Sequence, residues 1–312
     1  MAEEETSKKN KAKNTDQRDN RNNNNNKVVE VKARGKQEQA EAKNKRKRKD
    51  FFPFGNYRNY YGYRIGNDLE EDPRLRVLKK EWFQDKDCLD IGCNSGIFTI
   101  QIAKKLHCSS ILGIDIDSSR IEDAHWHLRK SVRMDNSKKK SAKTSELEVA
   151  KRENDSDPNS ALLIEEILEN SSDCCPSRKR DLFDIVSFQQ ENFVKSQLPP
   201  GKHYDTILCL SVTKWIQLNW GDDGLIALFT KIWTLLRPGG ILVLEPQPWK
   251  SYENNHRVSE TTAMNYRNIK HRPVDFQEIL LDKIGFRTVE DLTWGLSGST
   301  AGFNRPIFAF CK

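Results

Sequence analysis

The sequence predicts an α/β fold with a doubly wound parallel sheet. Short, almost continuously apolar segments alternate with longer amphipathic ones from residue 88 to the end of the chain. Strands that are buried on both faces have such continuous apolar runs, and helices between them cover both faces of the sheet. We expect seven strands, at Cys88–Ile91, Ile111–Ile114, Phe183–Phe188, Thr206–Leu210, Ile241–Leu244, Thr288–Leu292 and Ile307–Cys311. We expect helices at Ile97–Leu106, Ser119–Arg133, Asp222–Leu236 and Val274–Ile284.

The first strand leads into a glycine-rich turn, and the second ends in a carboxylate. The turn contains Asp90, Gly92 and Gly96, and Asp115 follows Gly96 by nineteen residues. Glycines let a ligand approach the backbone, and an acid after the second strand accepts hydrogen bonds from ribose hydroxyls. The spacing is D-x-G-x-x-x-G, and Asp90 would repel a pyrophosphate but attract a cation. This predicts a Rossmann-like site for S-adenosylmethionine, hence a seven-stranded class I methyltransferase fold.

Charge is concentrated at the beginning of the chain. Residues 1–50 hold sixteen Lys or Arg and nine Asp or Glu, a net charge of +7 that equals the value for all 312 residues. With few large apolar side chains, this segment is predicted to be a disordered basic tail. It is either a solvated extension or a nuclear-import signal and RNA-binding arm. We expect one methyltransferase domain over 51–312, with a second polar, disordered segment inserted at 137–180.

Membrane, secretory and metal-binding classes are not indicated. No stretch is long and apolar enough to span a membrane, and the chain does not begin like a secretory signal. The seven cysteines lack C-x-x-C spacing and companion histidines, so we expect reduced core cysteines and no metal site.

The residues that follow the fourth strand point to an anionic acceptor. Ser211, Thr213 and Lys214 provide two hydroxyls and a cation there. A terminal phosphate is mostly a dianion at neutral pH, since its second pKa is about 6. It therefore needs alignment and charge screening, but no general base. We predict catalytic roles for these three residues; the alternative for Lys214 is a solvated lysine at a helix start.

A segment of aromatics, arginines and glycines precedes the first strand. We predict RNA contacts from Tyr57, Tyr60, Tyr63 and Arg64, because aromatic rings stack on unpaired bases and arginines hold phosphates. The segment is then a lid over the cofactor and a platform for RNA. The alternative is a plain aromatic cover for the sheet.

Several long blocks of the chain resemble the methylphosphate capping enzyme family, the bicoid-interacting-protein-type RNA methyltransferases. The similar blocks are Gly55-Asn56-Tyr57-x-x-Tyr60-Tyr61-Gly62-Tyr63-Arg64, Leu208 to Asp222 and Leu236 to Trp249. The resemblance implies methylation of an RNA 5′ terminal phosphate; in the best-known member this is the γ-phosphate of 7SK small nuclear RNA. It also implies ten cofactor contacts: Tyr61, Arg74, Gly92, Cys93, Asn94, Asp115, Ile116, Asn192, Phe193 and Leu210. The asparagine-rich tail resembles plant members.

Several alternatives remain open from the sequence. A smaller branch of the family methylates 5′-monophosphates of small RNA or tRNA. Other possibilities are a non-catalytic RNA-binding scaffold and a methyltransferase for small molecules or proteins. The expected partner is RNA with a 5′ phosphate, with a La-related protein as a second partner. We expect an otherwise monomeric protein in the nucleus, with the cytoplasm as a further location.

Overall fold

The computed structural model describes residues 52–58, 60–61, 71–153, 181–197, 201–293 and 305–312, with the backbone alone for 138–153. The predicted tail at 1–50 lies outside the described residues, as do Tyr63, Arg64 and most of the segment 137–180. The domain division therefore stays a prediction.

The strands form one mixed sheet. They are β1 Asp87–Ile91, β2 Ser110–Asp115, β3 Val186–Gln190, β4 Tyr204–Leu210, β5 Leu236–Glu245, β6 Thr288–Asp291 and β7 Phe308–Cys311. Their order is β3-β2-β1-β4-β5-β7-β6. The first five run parallel, whereas β7 is antiparallel to both β5 and β6. The seven-stranded α/β prediction is confirmed, but the expectation of a wholly parallel sheet is wrong at this edge.

The helices lie between the strands. They are α1 Ile97–Leu106, α2 Ser118–Glu153, α3 Leu182–Ile185, α4 Thr213–Leu235, α5 Trp249–Asn255, α6 Glu260–Asn268 and α7 Phe276–Glu278. Short 3₁₀ turns cover Pro73–Arg76, Lys80–Trp82 and Pro273–Asp275, and a π-helical turn, Ile279–Ile284, follows α7. The bounds of α1 are those predicted from the sequence.

Other boundaries differ from the prediction for local reasons. Residues 183–185 belong to α3, which a capping box between Asp181 and Asp184 starts, so β3 begins only at Val186. Helix α4 starts nine residues before the predicted Asp222, because it continues across a kink where Gly221 has φ 67°. Helix α2 runs to Glu153 and so enters the segment for which disorder is predicted.

The order of the strands determines where a ligand can bind. The chain moves outward from β1 to β2 and β3, then returns to place β4 on the other side of β1. In open α/β sheets the crevice at such a switch point, beyond the carboxyl ends of the strands, is the usual ligand site. One apolar cluster packs α1 and α2 on one face of the sheet, and another packs α4 on the other face.

Candidate active site

A cleft lies at the carboxyl ends of β1, β2 and β4. All ten residues predicted to contact the cofactor line it: Tyr61, Arg74, Gly92, Cys93, Asn94, Asp115, Ile116, Asn192, Phe193 and Leu210. Tyr60 and Ser211, which are predicted to contact RNA and the acceptor, line it as well.

The turn after β1 requires glycine because the chains approach closely. Gly92 has φ +74°, and a Cβ atom there would lie 2.5 Å from Val212 Cγ2. The amides of Gly92 and Cys93 both donate to the carbonyl of Ile114, at 2.8 and 3.0 Å. This pairing brings the turn against the end of β2, so the backbone itself forms one wall of the cleft.

Asp115 is held in one orientation by backbone amides. Its carboxylate accepts from the amide of Asn94 at 3.0 Å and from that of Asp117 at 2.9 Å. Asn94 can reach it because its backbone is left-handed, with φ 49°. Burial raises the pKa of Asp115, and the two amide hydrogen bonds oppose that rise. A buried carboxylate that is already oriented suits the paired hydroxyls of a ribose.

The cleft carries an excess of negative charge. Among the described lining residues the acids are Asp90, Asp115 and Glu191, and the base is Arg74. Burial raises the pKa of Asp90 to about 6, although Thr99 Oγ1 donates to its carboxylate at 2.6 Å. The sulfonium and ammonium groups of S-adenosylmethionine are cations that such a cleft attracts, so the residues present fit this cofactor.

The loop after β3 is supported from behind by a buried lysine of α4. Lys231 Nζ donates to the carbonyl of Phe193 at 2.7 Å and to the carbonyl and hydroxyl of Ser196 at 2.8 and 2.7 Å. It also lies 4.4 Å from the centroid of the Phe193 ring. These contacts hold Asn192 and Phe193 at the cleft wall, where an amide and a ring suit an adenine.

The opposite side of the cleft is formed by a network of charged side chains. Arg74 donates to Asp72 at 2.6 Å and to Glu245 at 3.0 Å, and all three are buried. Glu245 also accepts from Ser211 Oγ at 2.7 Å. The same Oγ is contacted by Tyr60 Oη at 3.2 Å and by Arg305 Nη1 at 2.8 Å.

Ser211 is the centre of this network and has an unusual backbone. Its φ of 61° is left-handed, a conformation that is rare outside glycine and that clusters at functional sites. Its carbonyl accepts from the Gln247 side chain. Hydrogen bonds to both its hydroxyl and its carbonyl therefore fix Ser211 at the edge of the cleft.

The structure separates the three predicted catalytic residues. Ser211 lines the cleft, but Thr213 and Lys214 are buried behind its wall. Thr213 Oγ1 donates to Gln247 Oε1 at 3.3 Å. Lys214 Nζ donates to Ser251 Oγ at 2.9 Å and lies 4.2 Å from the centroid of Trp215, which does line the cleft. Burial, followed by the charge of Arg305, lowers the pKa of Lys214 to about 7.

The aromatic segment before β1 packs along the rim of the cleft. Phe54 stacks on Trp220 at 5.8 Å, and Asn94 Nδ2 donates to the carbonyl of Tyr57 at 3.2 Å. The Tyr57 ring lies outside the cleft lining, edge-on to Trp215 at 6.0 Å, and its hydroxyl donates to Asn255 Oδ1 at 3.1 Å. The structure describes two of the tyrosines that are predicted to contact RNA, and they lie in different places. Tyr60 faces the cleft, whereas Tyr57 faces α5.

Three residues of the site are not predicted from the sequence. Glu245 ends β5, so its position at a strand end is a signal that could have identified it. Lys231 lies inside a helix and Arg305 follows the undescribed residues 294–304, and nothing in the local pattern marks either one. Their roles depend on contacts with residues 35 or more positions away in the chain.

The sheet with its antiparallel β7 and the acidic, glycine-walled cleft define a class I S-adenosylmethionine-dependent methyltransferase. The family model of Bicoid-interacting protein 3 (Bin3) matches residues 204–312. A probable RNA methyltransferase of Arabidopsis thaliana is 67% identical over 265 residues, which cover 85% of this chain and 82% of the relative. The chain belongs to the Bin3 family of methyltransferases.

Two animal relatives have more specific names. The U6 snRNA methylphosphate capping enzyme Amus of Drosophila melanogaster is 34% identical, over 84% of this chain and 75% of the relative. The 7SK snRNA methylphosphate capping enzyme of Homo sapiens is 38% identical over 84% of this chain. The match spans 39% of that human protein's length.

Two features are absent from the part of the chain that the structure describes. No helix in the described ranges has the length and hydropathy to cross a membrane. The same ranges contain no group of three or more His, Cys, Asp or Glu side chains placed to hold a metal ion.

Proposed function

We propose that this chain methylates the 5′ terminal γ-phosphate of a small nuclear RNA, with S-adenosylmethionine as the methyl donor. The observation that carries the proposal is the change of charge across Ser211. On one side lies an acidic cleft that fits a cationic cofactor. On the other side Arg305 contacts the Ser211 hydroxyl, which donates to Glu245, and Lys214 lies close enough to feel the charge of Arg305. The names of the capping-enzyme relatives support the same acceptor.

The reaction asks the protein for alignment and charge screening. The bound cofactor supplies an electrophilic methyl group on a sulfonium. A terminal phosphate is mostly a dianion at neutral pH, because its second pKa is about 6, so its oxygen can form the new O–CH₃ bond without a general base. The S–CH₃ bond of the cofactor would break as the O–CH₃ bond forms, and the neutral thioether product would then leave. Tyr60 and Arg305 both contact Ser211 Oγ, and these three polar side chains are the ones proposed to contact the phosphate oxygen.

The two cations have different tasks in this mechanism. Arg305 reaches the cleft edge and suits direct hydrogen bonds to a phosphate, since a guanidinium binds oxyanions with paired donors. Lys214 acts from behind Trp215 through its charge, which is weakly screened because the lysine is buried. Together they hold an anionic end next to the methyl group.

The acceptor is tested with labelled S-adenosylmethionine and one transcript prepared with a 5′-triphosphate, a 5′-monophosphate or a 5′-hydroxyl. We expect label on the triphosphate RNA and none on RNA treated beforehand with phosphatase. Equal labelling of the 5′-hydroxyl RNA, or label in a base or ribose, would refute the phosphate as acceptor. Labelling confined to the monophosphate RNA would assign the chain to the monophosphate type.

Arg305 provides a second test of the acceptor site. Loss of a charged hydrogen bond costs about 1.5–3 kcal/mol, so R305A should raise the KM for triphosphate RNA roughly tenfold or more. The affinity for the cofactor product should stay unchanged in calorimetry. A loss of cofactor affinity without a change in RNA KM would place Arg305 in the cofactor site instead.

The cellular context is also part of the proposal. Small nuclear RNA as substrate and the basic run Lys45 to Lys49 both favour action in the nucleus. A La-related RNA-binding protein is proposed as a further partner on the same RNA. Localisation of a tagged full chain, compared with one lacking residues 1–50, tests the first point.

A further inference from the structure

The solvent face of α2 carries a stripe of one aromatic and three basic residues. Trp126, Arg129, Lys130 and Arg133 are all exposed, and their spacing of three and four residues puts them on one side of the helix. The other side is the core face, with the buried residues Ile121, Ala124, Leu128 and Val132. We call the exposed set the α2 stripe.

The positive charge of the α2 stripe is not neutralised within the described structure. No acid occurs between Trp126 and Arg133 in the sequence. The ion pairs of this region join other residues: Arg120 pairs with Asp123, and Lys104 pairs with Asp135. For the three stripe cations, no carboxylate partner is found among the residues that the structure describes.

The aromatic member makes the stripe more than a solvated basic face. Trp126 is 52% exposed, with Lys130 Nζ 5.1 Å from its ring centroid. One helical turn beyond Lys130, Met134 is 51% exposed. A large exposed ring among cations matches single-stranded nucleic acid, whose bases stack on aromatic faces while its phosphates meet lysine and arginine.

The α2 stripe runs along the helix away from the cleft. Helix α2 begins at Ser118, three residues after Asp115 at the cleft, and Arg120 Nη1 donates to the carbonyl of Arg58 at the cleft rim at 3.4 Å. At 1.5 Å per residue, Trp126 lies about 12 Å and Arg133 about 22 Å along the helix from Ser118. A strand that leaves the cleft and follows α2 would therefore pass these residues in order.

We propose that the α2 stripe binds the single-stranded RNA just downstream of the 5′ terminal nucleotide. The proposal rests on the proposed function and adds the surface that receives the body of the substrate. It implies that substrate length matters. A 5′-triphosphate dinucleotide is too short to reach the far end of the stripe, whereas a longer transcript crosses all of it.

The test compares two charge reversals of equal size in the full chain. The stripe variant is R129E/K130E/R133E, and the control is R76E/K80E/K86E, which reverses three exposed cations elsewhere. We expect the stripe variant to raise the KM for a triphosphate transcript at least tenfold and to leave turnover of the dinucleotide unchanged. The slope of the logarithm of RNA affinity against the logarithm of salt concentration should become shallower by about two. Each lost phosphate contact removes roughly 0.7 from this slope for single strands.

A single substitution separates stacking from charge. W126A should weaken transcript binding about tenfold, with the salt slope unchanged because no charge is lost. Equal losses in the stripe variant and the control would show a general charge effect and overturn the proposal. Unchanged RNA affinity in the stripe variant would also overturn the proposal, and a protein would then be the partner to test for this face of α2. If the wild type methylates no RNA, the proposed function is wrong. The RNA affinities of the stripe variant and the control variant would still show whether the α2 stripe binds RNA.

Discussion

The cofactor side and the acceptor side of the cleft are each backed by a buried lysine of α4. The two lysines differ in the number of hydrogen bonds that their ammonium groups make. Lys231 donates to three oxygens of the loop after β3, which carries Asn192 and Phe193. For the ammonium group of Lys214 the described structure provides one hydrogen bond, to Ser251, and an aromatic ring. A buried cation with three acceptors holds a loop in place. A buried cation with fewer contacts, whose pKa burial has lowered to about 7, responds to an incoming anion.

The largest effect is expected from removing the acceptor-side charge. Lys214→Met keeps most of the volume and removes the cation, so kcat should fall about 100-fold, the usual scale for a lost transition-state electrostatic contact. Affinity for the cofactor product should stay within a factor of about two. Single-turnover methyl transfer and calorimetry measure the two quantities. A parallel loss of cofactor affinity would make Lys214 structural.

The pH profile sharpens this test. The pKa of Lys214 is about 7, so its charge is present below that pH and lost as the pH rises through it. The acceptor phosphate gains its second charge above about pH 6. We expect kcat/KM to peak between these values, and K214M to lose the alkaline decline while keeping the acidic limb. An unchanged alkaline limb in the variant would assign it to another group.

On the cofactor side, the largest loss is expected at the ribose. Asp115→Ala removes an oriented charged acceptor, which costs about 1.5–3 kcal/mol, or roughly ten- to a hundredfold in affinity. Turnover at saturating cofactor should change much less. Calorimetric titration with S-adenosylmethionine checks this, with D115N as the variant that keeps the shape. Unchanged affinity in a folded D115A protein would remove the residue from the site.

A smaller effect is expected from Lys231, which supports the loop after β3. Lys231→Met should raise the dissociation constant of the cofactor about tenfold, because the loop loses hydrogen bonds worth about 1–1.5 kcal/mol. The value of kcat should be nearly unchanged, the opposite of K214M, and K231R should restore part of the affinity. If K231M and K214M gave the same pattern, the contrast between the two lysines would be wrong.

The smallest effect concerns the pH dependence of cofactor binding. The pKa of Asp90 is about 6, so the carboxylate is charged above that pH and becomes neutral as the pH falls through it. A cationic ligand therefore binds best above pH 6, and its affinity should drop a few-fold towards pH 5. D90N should bind at pH 7.5 about as weakly as the wild type does at pH 5. A D90N protein that keeps the wild-type pH dependence would assign the effect to another acid.

The two sides also differ in how far they could be predicted. The cofactor side follows from the D-x-G-x-x-x-G turn and Asp115, since these residues end adjacent parallel strands and must meet at one edge. The acceptor side was predicted only as a loop with hydroxyls and a cation. Of its three residues, Ser211 reaches the cleft, while Thr213 and Lys214 start α4 and are buried.

The sequence by itself determined the fold class, the glycine turn and the carboxylate at the end of β2, because local spacing and strand periodicity encode them. Only the tertiary structure decided that Arg305 reaches Ser211, that Lys231 supports the Phe193 loop and that β7 runs antiparallel. Each of these depends on side chains or strands that are distant in the chain and meet only after the sheet has formed. A pairing of that kind leaves no periodic trace in a single sequence.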